Sequence, residues 1–149
     1  MSTEKEKNFT LRDFLPYRLS ILSNRISLGI SEIYQEKYAL SITEWRTMAI
    51  LGSYPDSTAS EIVQHTAIDK VAISRAVKKL LVRNFIEREI DTEDRRRQTL
   101  RLTQIGQEVY DDVFPKALNF EQKFTQLLDH QDFSDLDRIV RKLQKNSDE

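Results

Sequence analysis

The stretch DKVAISRAVKKLLVRNFIEREIDTEDRRRQTLRLT, residues 69–103, decides the fold. Asp69 has the side chain of a helix N-cap. From Lys70 to Arg83, Val71, Ile73, Val77, Leu80 and Leu81 make an apolar side, while Lys70, Ser74, Arg75, Lys78 and Lys79 hold the other. After Asn84, a helix stop, the chain from Phe85 to Ile90 alternates, with Ile86 and Ile90 on one face and Glu87 and Glu89 on the opposite one. Leu100 and Leu102 alternate again against Thr99 and Arg101, and between the two strands lies DTEDRRRQ, residues 91–98, a charged hairpin tip without an apolar side chain. A basic helix followed directly by two strands and a basic loop predicts a wing.

Upstream, Thr58-Ala59-Ser60-Glu61 is a capping box that opens a short helix with Ile62 and Val63. A turn through Thr66, Ala67 and Ile68 then leads to Asp69. Two short helices joined by a tight turn, the second basic on its outer face, make the pattern of a helix-turn-helix. Further out, Ser41 or Thr43 opens a helix carrying Trp45, Met48, Ala49 and Leu51, with Gly52 and Pro55 as its end. Residues 9–37 read as one long helix, with Thr10 and Asp13 as a capping box and Pro16 as a kink or a displaced start. Thr103 caps a helix running to about Asp129, kinked at Pro115. Ser134 caps a last helix bearing Leu136, Ile139, Val140 and Leu143, with Phe133 as a hydrophobic staple. The flanking helices carry more apolar residues than a small winged lobe needs, which suggests dimerisation. The expected architecture is mainly α with a small β-hairpin wing, in one domain over residues 1–149. A winged helix-turn-helix lobe spans residues 43–103, and dimerisation helices span residues 9–37 and 104–146.

The charge is unevenly placed. The 149 residues hold 23 Lys+Arg against 24 Asp+Glu, a formal charge of −1 that on its face argues mildly against nucleic acid. Residues 69–103 alone carry +4, residues 1–68 carry −1 and residues 104–149 carry −4. Without cysteine there is no disulfide, thiolate metal site or thiol nucleophile. His65 and His130 fall in different elements, so metal-ligand spacing is missing. No glycine-rich phosphate loop or Ser/His/Asp string appears either. The expectation is a protein that is not an enzyme and needs no cofactor or metal. Residues 1–8 alternate Glu and Lys and lack the apolar segment of a signal peptide, and no run of about eighteen apolar residues occurs, so a soluble cytoplasmic protein without a membrane partner is expected.

In element order and in three strings the chain resembles the MarR family of bacterial regulators, over nearly its whole length from about Phe9 to Leu143. The most specific string runs from Asp91 through Asp94-Arg95-Arg96-Arg97 to Gly106, and the others are residues 38–46 (YALSITEWR) and 69–77 (DKVAISRAV). The resemblance implies a triangular homodimer that binds a short pseudo-palindromic operator in double-stranded DNA and is released by a small aromatic or anionic effector. Repression is the commoner mode in that family.

A recognition helix reads bases near its N-terminal half, and an arginine fits guanine O6 and N7 in bidentate fashion. Arg75 is therefore the expected base reader, with Ser74 and Lys70 beside it, and Lys78 and Lys79 on phosphates. By resemblance Arg96 enters the minor groove, Asp94 holds its guanidinium by a salt bridge, and Arg95 and Arg97 flank it on the backbone. Thr58 and Ser60 sit where hydroxyls and free N–H groups meet a phosphate, although capping explains them equally well. For the effector, the resemblance places Arg18 against a carboxylate, with Trp45, Arg46 and His65 lining the same crevice. The plainer alternatives are an inter-subunit salt bridge for Arg18 and a core position for Trp45. Two other functions remain open: an activator or antagonist without a small-molecule ligand, and a winged helix used as a protein-interaction module.

Overall fold

A computed structural model describes residues 10–147 of the chain. The Glu/Lys run of residues 1–8 and Phe9, the expected start of the first helix, lie outside the described residues, as do residues 148–149. The described residues form two compact units that divide after Lys116.

In the first unit a single 3-10 turn, Leu11–Asp13, precedes α1, Leu15–Tyr38. The helix thus begins at Leu15, not near residue 9, and Pro16 accounts for the difference. Within the first turn its missing N–H is no loss, whereas further inside a helix its ring would collide with the preceding turn. Thr10 and Asp13 do meet, the Thr10 hydroxyl donating to the Asp13 carboxylate at 2.7 Å, but they close the 3-10 turn and cap no α-helix. Ala39, in the left-handed region at φ 52°, ends α1.

Ser41 opens α2, Ile42–Ser53, by a full capping box with Glu44, which settles the choice between Ser41 and Thr43. Gly52 is not the stop expected of it. It lies inside α2, where a side chain is excluded because a Cβ would stand 2.4 Å from the Tyr110 ring, and the helix ends at Ser53 with Tyr54 as its C-cap. Thr58 and Glu61 cap α3, Ala59–Thr66, reciprocally, the Thr58 N–H donating to Glu61 Oε2 at 2.9 Å. Ala67 turns the chain in the left-handed region, and the Asp69 carboxylate then accepts the Ala72 N–H at 2.9 Å to open α4, Lys70–Val82.

Strands β1, Ile86–Ile90, and β2, Gln98–Leu102, pair antiparallel with Ile86 opposite Leu102 and Ile90 opposite Gln98. Ile86 and Leu100 are buried, but Ile90 is 53% exposed: the hairpin projects past the core, so alternation continues where there is nothing to pack against. The Leu100 N–H also donates to the Ser57 carbonyl at 2.8 Å, tying the wing to the segment before α3. Thr103 joins the hairpin to α5, Gln104–Phe124, its hydroxyl donating to the Asn84 carbonyl at 2.6 Å and accepting the Gly106 N–H at 3.0 Å. Pro115 lies inside α5, which stops at Phe124, short of Asp129. Tyr34, Trp45, Met48, Leu51, Ile62, Ile73, Leu80, Ile86, Leu100, Val109 and Val113 belong to one core that α1 to α5 and both strands share.

The second unit holds the remainder of α5, where Phe120 stacks on Phe124, and α6, His130–Ser147. Asp129, not Ser134, opens α6: its carboxylate accepts the Asp132 N–H at 2.8 Å while Asp132 accepts the Asp129 N–H at 3.1 Å. Two aspartates three apart thus form the reciprocal cap upstream, and Ser134 falls inside the helix. No residue of α6 is buried. Phe133, Leu136, Ile139, Val140 and Leu143 make an apolar stripe at helical spacing, each 41–47% exposed.

Candidate nucleic-acid interface

Helix α4 turns Ile73, Ala76, Val77 and Leu80 into the core, which commits Lys70, Ser74, Arg75, Lys78 and Lys79 to the exposed face. No ion pair within the described residues occupies these cations, so their charge is directed to solvent. Val71 departs from the expectation. Grouped above with the apolar side, it is 59% exposed, because two residues along a helix turn through about 200° and Val71 cannot share the face of Ile73. It stands instead one turn before Ser74 and Arg75, and the spacing of four to Arg75 was the sequence signal that could have found it.

Ser60 joins this face. A cleft of about 280 Å³ between the N-terminal ends of α3 and α4 is lined by Ala59, Ser60, Val63, Gln64, Lys70, Ile73 and Ser74. Thr58 is engaged otherwise: its hydroxyl accepts the Glu61 N–H at 3.2 Å, so its side chain serves the cap.

At the wing tip Asp91 and Asp94 fold the loop. Asp91 Oδ1 accepts the Glu93 N–H at 2.9 Å, and Asp94 Oδ1 accepts the Arg96 backbone N–H at 3.0 Å. The expected Asp94–Arg96 salt bridge is thus replaced by a bond to the Arg96 main chain, since an aspartate in a tight turn reaches the amide two residues on more directly than a side-chain tip. Arg95, Arg96 and Arg97 are all exposed, without an ion pair among the described residues.

Two other cations of the basic middle are already committed. Arg101 donates to Glu87 at 2.7 Å and meets Glu89 at 3.3 Å, which raises its pKa, the Glu87 bond first. Arg83, the C-cap of α4, donates to the carbonyls of Tyr38 and Ala39 and lies 4.5 Å over the Phe85 ring. The cations without a partner among the described residues are therefore those of α4, the wing tip and Arg88 on β1.

The four residues expected to share an effector crevice stand apart. Arg18 lines a trough of about 570 Å³ on α1, together with Arg12, Tyr17, Leu22 and Arg25. Trp45 lies in the core, stacked between Tyr34 at 5.5 Å and Tyr110 at 6.1 Å, and burial pushes the Tyr34 hydroxyl up to about 12 against the opposing charge of Arg46. Arg46 donates to the Ser27 hydroxyl at 2.8 Å, nine residues or about 13 Å along α1 from Arg18. The His65 ring stacks on Tyr54 at 4.6 Å. Sequence reasoning also missed Asp112, whose carboxylate accepts the Tyr38 hydroxyl at 2.6 Å, Lys37 at 2.9 Å and Lys116 at 3.2 Å. These donors, Tyr38 first, hold its pKa well below the usual carboxylate range. Lys116 is one helical turn on, but nothing local marks Tyr38 and Lys37, which stand 74 and 75 residues away.

Among the described residues no group of three His, Cys, Asp or Glu is placed to hold a metal, and no helix is long and apolar enough to cross a membrane. A profile of the MarR family matches residues 40–97, the segment from just before α2 to the wing tip. An HTH-type transcriptional regulator of Staphylococcus aureus strain N315 is 29% identical over 86 residues, covering 58% of this chain and 59% of that protein. The chain thus spans less than two-thirds of the length of the curated relatives it matches. A MarR/EmrR family transcriptional regulator from Acinetobacter sp. ADP1 superposes with a TM-score of 0.86 at 28% identity, covering 94% of this chain and 99% of the other. Bordetella bronchiseptica BpsR, whose DNA binding is regulated by 6-hydroxynicotinic acid, shares the fold with a TM-score of 0.80 at 18% identity, covering 91% of this chain and 96% of its own.

Proposed function

We propose that the chain, which is similar to the MarR family of transcriptional regulators, is a DNA-binding regulator of that family, two copies of which bind a pseudo-palindromic operator and repress transcription until a small aromatic or anionic ligand releases them. The observation that carries the reading is the exposed, unpaired row Lys70, Ser74, Arg75, Lys78 and Lys79 on α4 with the bare Arg95-Arg96-Arg97 tip on the same lobe. Arg75 reads guanine in the major groove, Lys78 and Lys79 sit on phosphates, and Ser60 and Lys70 close on the backbone at the cleft between α3 and α4. Arg96, left free by Asp94, enters the minor groove, where a narrow A·T-rich groove has the more negative potential.

The second copy supplies cover for apolar surface. Leu15, Leu19 and Leu22 of α1 are 47–51% exposed, and the stripe of α6 meets nothing buried, whereas a lone soluble chain rarely leaves such patches open. The α1 trough joins apolar walls to three arginines, a chemistry suited to an aromatic carboxylate with Arg18 against the anion. The aromatic acid that regulates BpsR supports this choice of ligand class.

The test is binding to duplex DNA across a salt series. Phosphate neutralisation makes log K fall with log salt by about 0.9 per contact, so Lys78→Ala, which removes one contact from each of the two copies, flattens the slope by about two units on every sequence. Arg75→Ala costs about 1–3 kcal/mol per half-site on the selected operator and relaxes one position in each. Binding that ignores salt would replace this reading with a protein-interaction module. Titration with 6-hydroxynicotinate or salicylate releases the parent from its operator and not Arg18→Ala; equal responses would remove Arg18 from the pocket.

A further inference from the structure

Val71 is an apolar side chain set among the polar groups of the reading face. It is 59% exposed at the second position of α4, one turn before Arg75 and beside Lys70 and Ser74. It takes no part in the helix start, where Asp69 caps through the Ala72 N–H. A β-branched residue with its side chain in water also forms helix less well than alanine, so neither packing nor propensity accounts for valine here. Single exposed apolar residues are common on surfaces, but this one lies where the surface is read. The one apolar feature that base pairs present in the major groove is the 5-methyl group of thymine.

We infer that Val71 is a second specificity residue, packing its isopropyl group against a thymine methyl next to the guanine that Arg75 reads. The inference rests on the operator reading above. Four residues of helix advance about 6 Å, and stacked bases advance about 3.4 Å, so the thymine lies one or two base pairs from the guanine in each half-site. The contact gains one buried methyl group, worth about fourfold in affinity per half-site.

The experiment selects bound sequences from a random duplex pool with the parent and with Val71→Ala, then compares the parent's operator carrying thymine or deoxyuridine at the assigned position. Deoxyuridine removes only the methyl group. The parent loses about fourfold per half-site on that change, and Val71→Ala binds both duplexes alike; its selected sequences keep the guanine and lose the thymine preference. Thermal melting of Val71→Ala checks that the fold is intact, which exposure of the side chain leads one to expect. The assignment is overturned if parent half-sites carry no thymine within two base pairs of the guanine, or if Val71→Ala discriminates thymine from deoxyuridine as the parent does. A parent that enriches no duplex overturns the operator reading itself, which separates that failure from a failure of Val71 alone.

Discussion

Gly106 offers the most direct test of how the wing is held. A Cβ at this position would stand 1.8 Å from the Phe85 carbonyl oxygen and 2.9 Å from its carbon. Restoring an ordinary C···O separation of about 3.3 Å moves either β1 or the start of α5 by roughly 1.5 Å. That carbonyl accepts the Thr103 N–H at 3.1 Å, and Thr103 in turn bonds Asn84 and Gly106, so a shift of this size breaks the joint between wing and helix. Overpacking costs about 1–3 kcal/mol, its upper end fitting an obstacle made of backbone, and the lost hydrogen bond about 1 kcal/mol. Replacing a helical glycine by alanine returns about 1 kcal/mol. Gly106→Ala should therefore lose about 2–3 kcal/mol, or roughly 6–9 °C in melting temperature for a chain of this size. Urea unfolding followed by Trp45, the one tryptophan and a buried one, measures it. Gly52→Ala is the control: its Cβ meets the Tyr110 ring, a side chain that relieves the clash by shifting within its stacks on Trp45 and Phe114 while the backbone stays in place, so it should cost less. A Gly106→Ala protein as stable as the parent, or one less harmed than Gly52→Ala, would refute the close-approach argument.

At the wing tip, Arg96→Ala should weaken binding to operators with A·T-rich flanks more than to those with G·C-rich flanks, in fluorescence anisotropy at fixed salt; equal losses on both would remove the minor-groove contact. Asp112 ties acid stability to its three donors. Because its folded pKa is depressed, the stabilisation is present above the unfolded value of about 3.9 and is lost as pH falls toward the lower folded one, so Asp112→Asn should flatten the acid limb of a urea-midpoint profile below about pH 5. On α6, Ile139→Asp places a charge in the middle of the exposed apolar stripe and should convert the dimer proposed above to a monomer in sedimentation velocity, with monomer folding retained; a parent that sediments as a monomer refutes the pairing.

What was legible in the sequence is mostly chemistry that acts within one turn. Thr58 with Glu61, Ser41 with Glu44 and Asp69 with Ala72 are caps whose partners stand three residues away, so spacing alone identifies them. The two strands of the wing followed from alternation for the same reason. Misreadings arose where a neighbour distant in sequence decides. Gly52 looks like a stop until Tyr110 is placed against it, and Ile90 looks buried until the core is seen to end at Ile86. The exposed cations of α4 could be read from helical period, but the separation of Arg18, Trp45, Arg46 and His65 could not. Trp45 faces Tyr34 and Tyr110 because α2 packs between α1 and α5, an arrangement no local pattern announces.

One arrangement links the reading face to the rest of the first unit. The guanidinium of Arg83, at the C-terminal end of α4, bonds two carbonyls at the C-terminal end of α1, those of Tyr38 and its cap Ala39. The Tyr38 hydroxyl and Lys37 are held in turn by Asp112 of α5. The C-terminal ends of α1 and α4 and the middle of α5 thus meet within a few side chains. A displacement of α1 along its axis must carry α4 with it or break the two Arg83 bonds. Their rupture leaves two carbonyls and a guanidinium at an exposed junction where water replaces the lost partners, so the loss is modest. Buried side chains seat α4 along its length, from Ile73 through Ala76 and Val77 to Leu80, so the helix shifts as one body or not at all. A shift of that kind displaces Lys78, Lys79 and Arg75 together. For the operator binding proposed above, a signal that arrives through α1 would accordingly act on the phosphate contacts and the base contact alike.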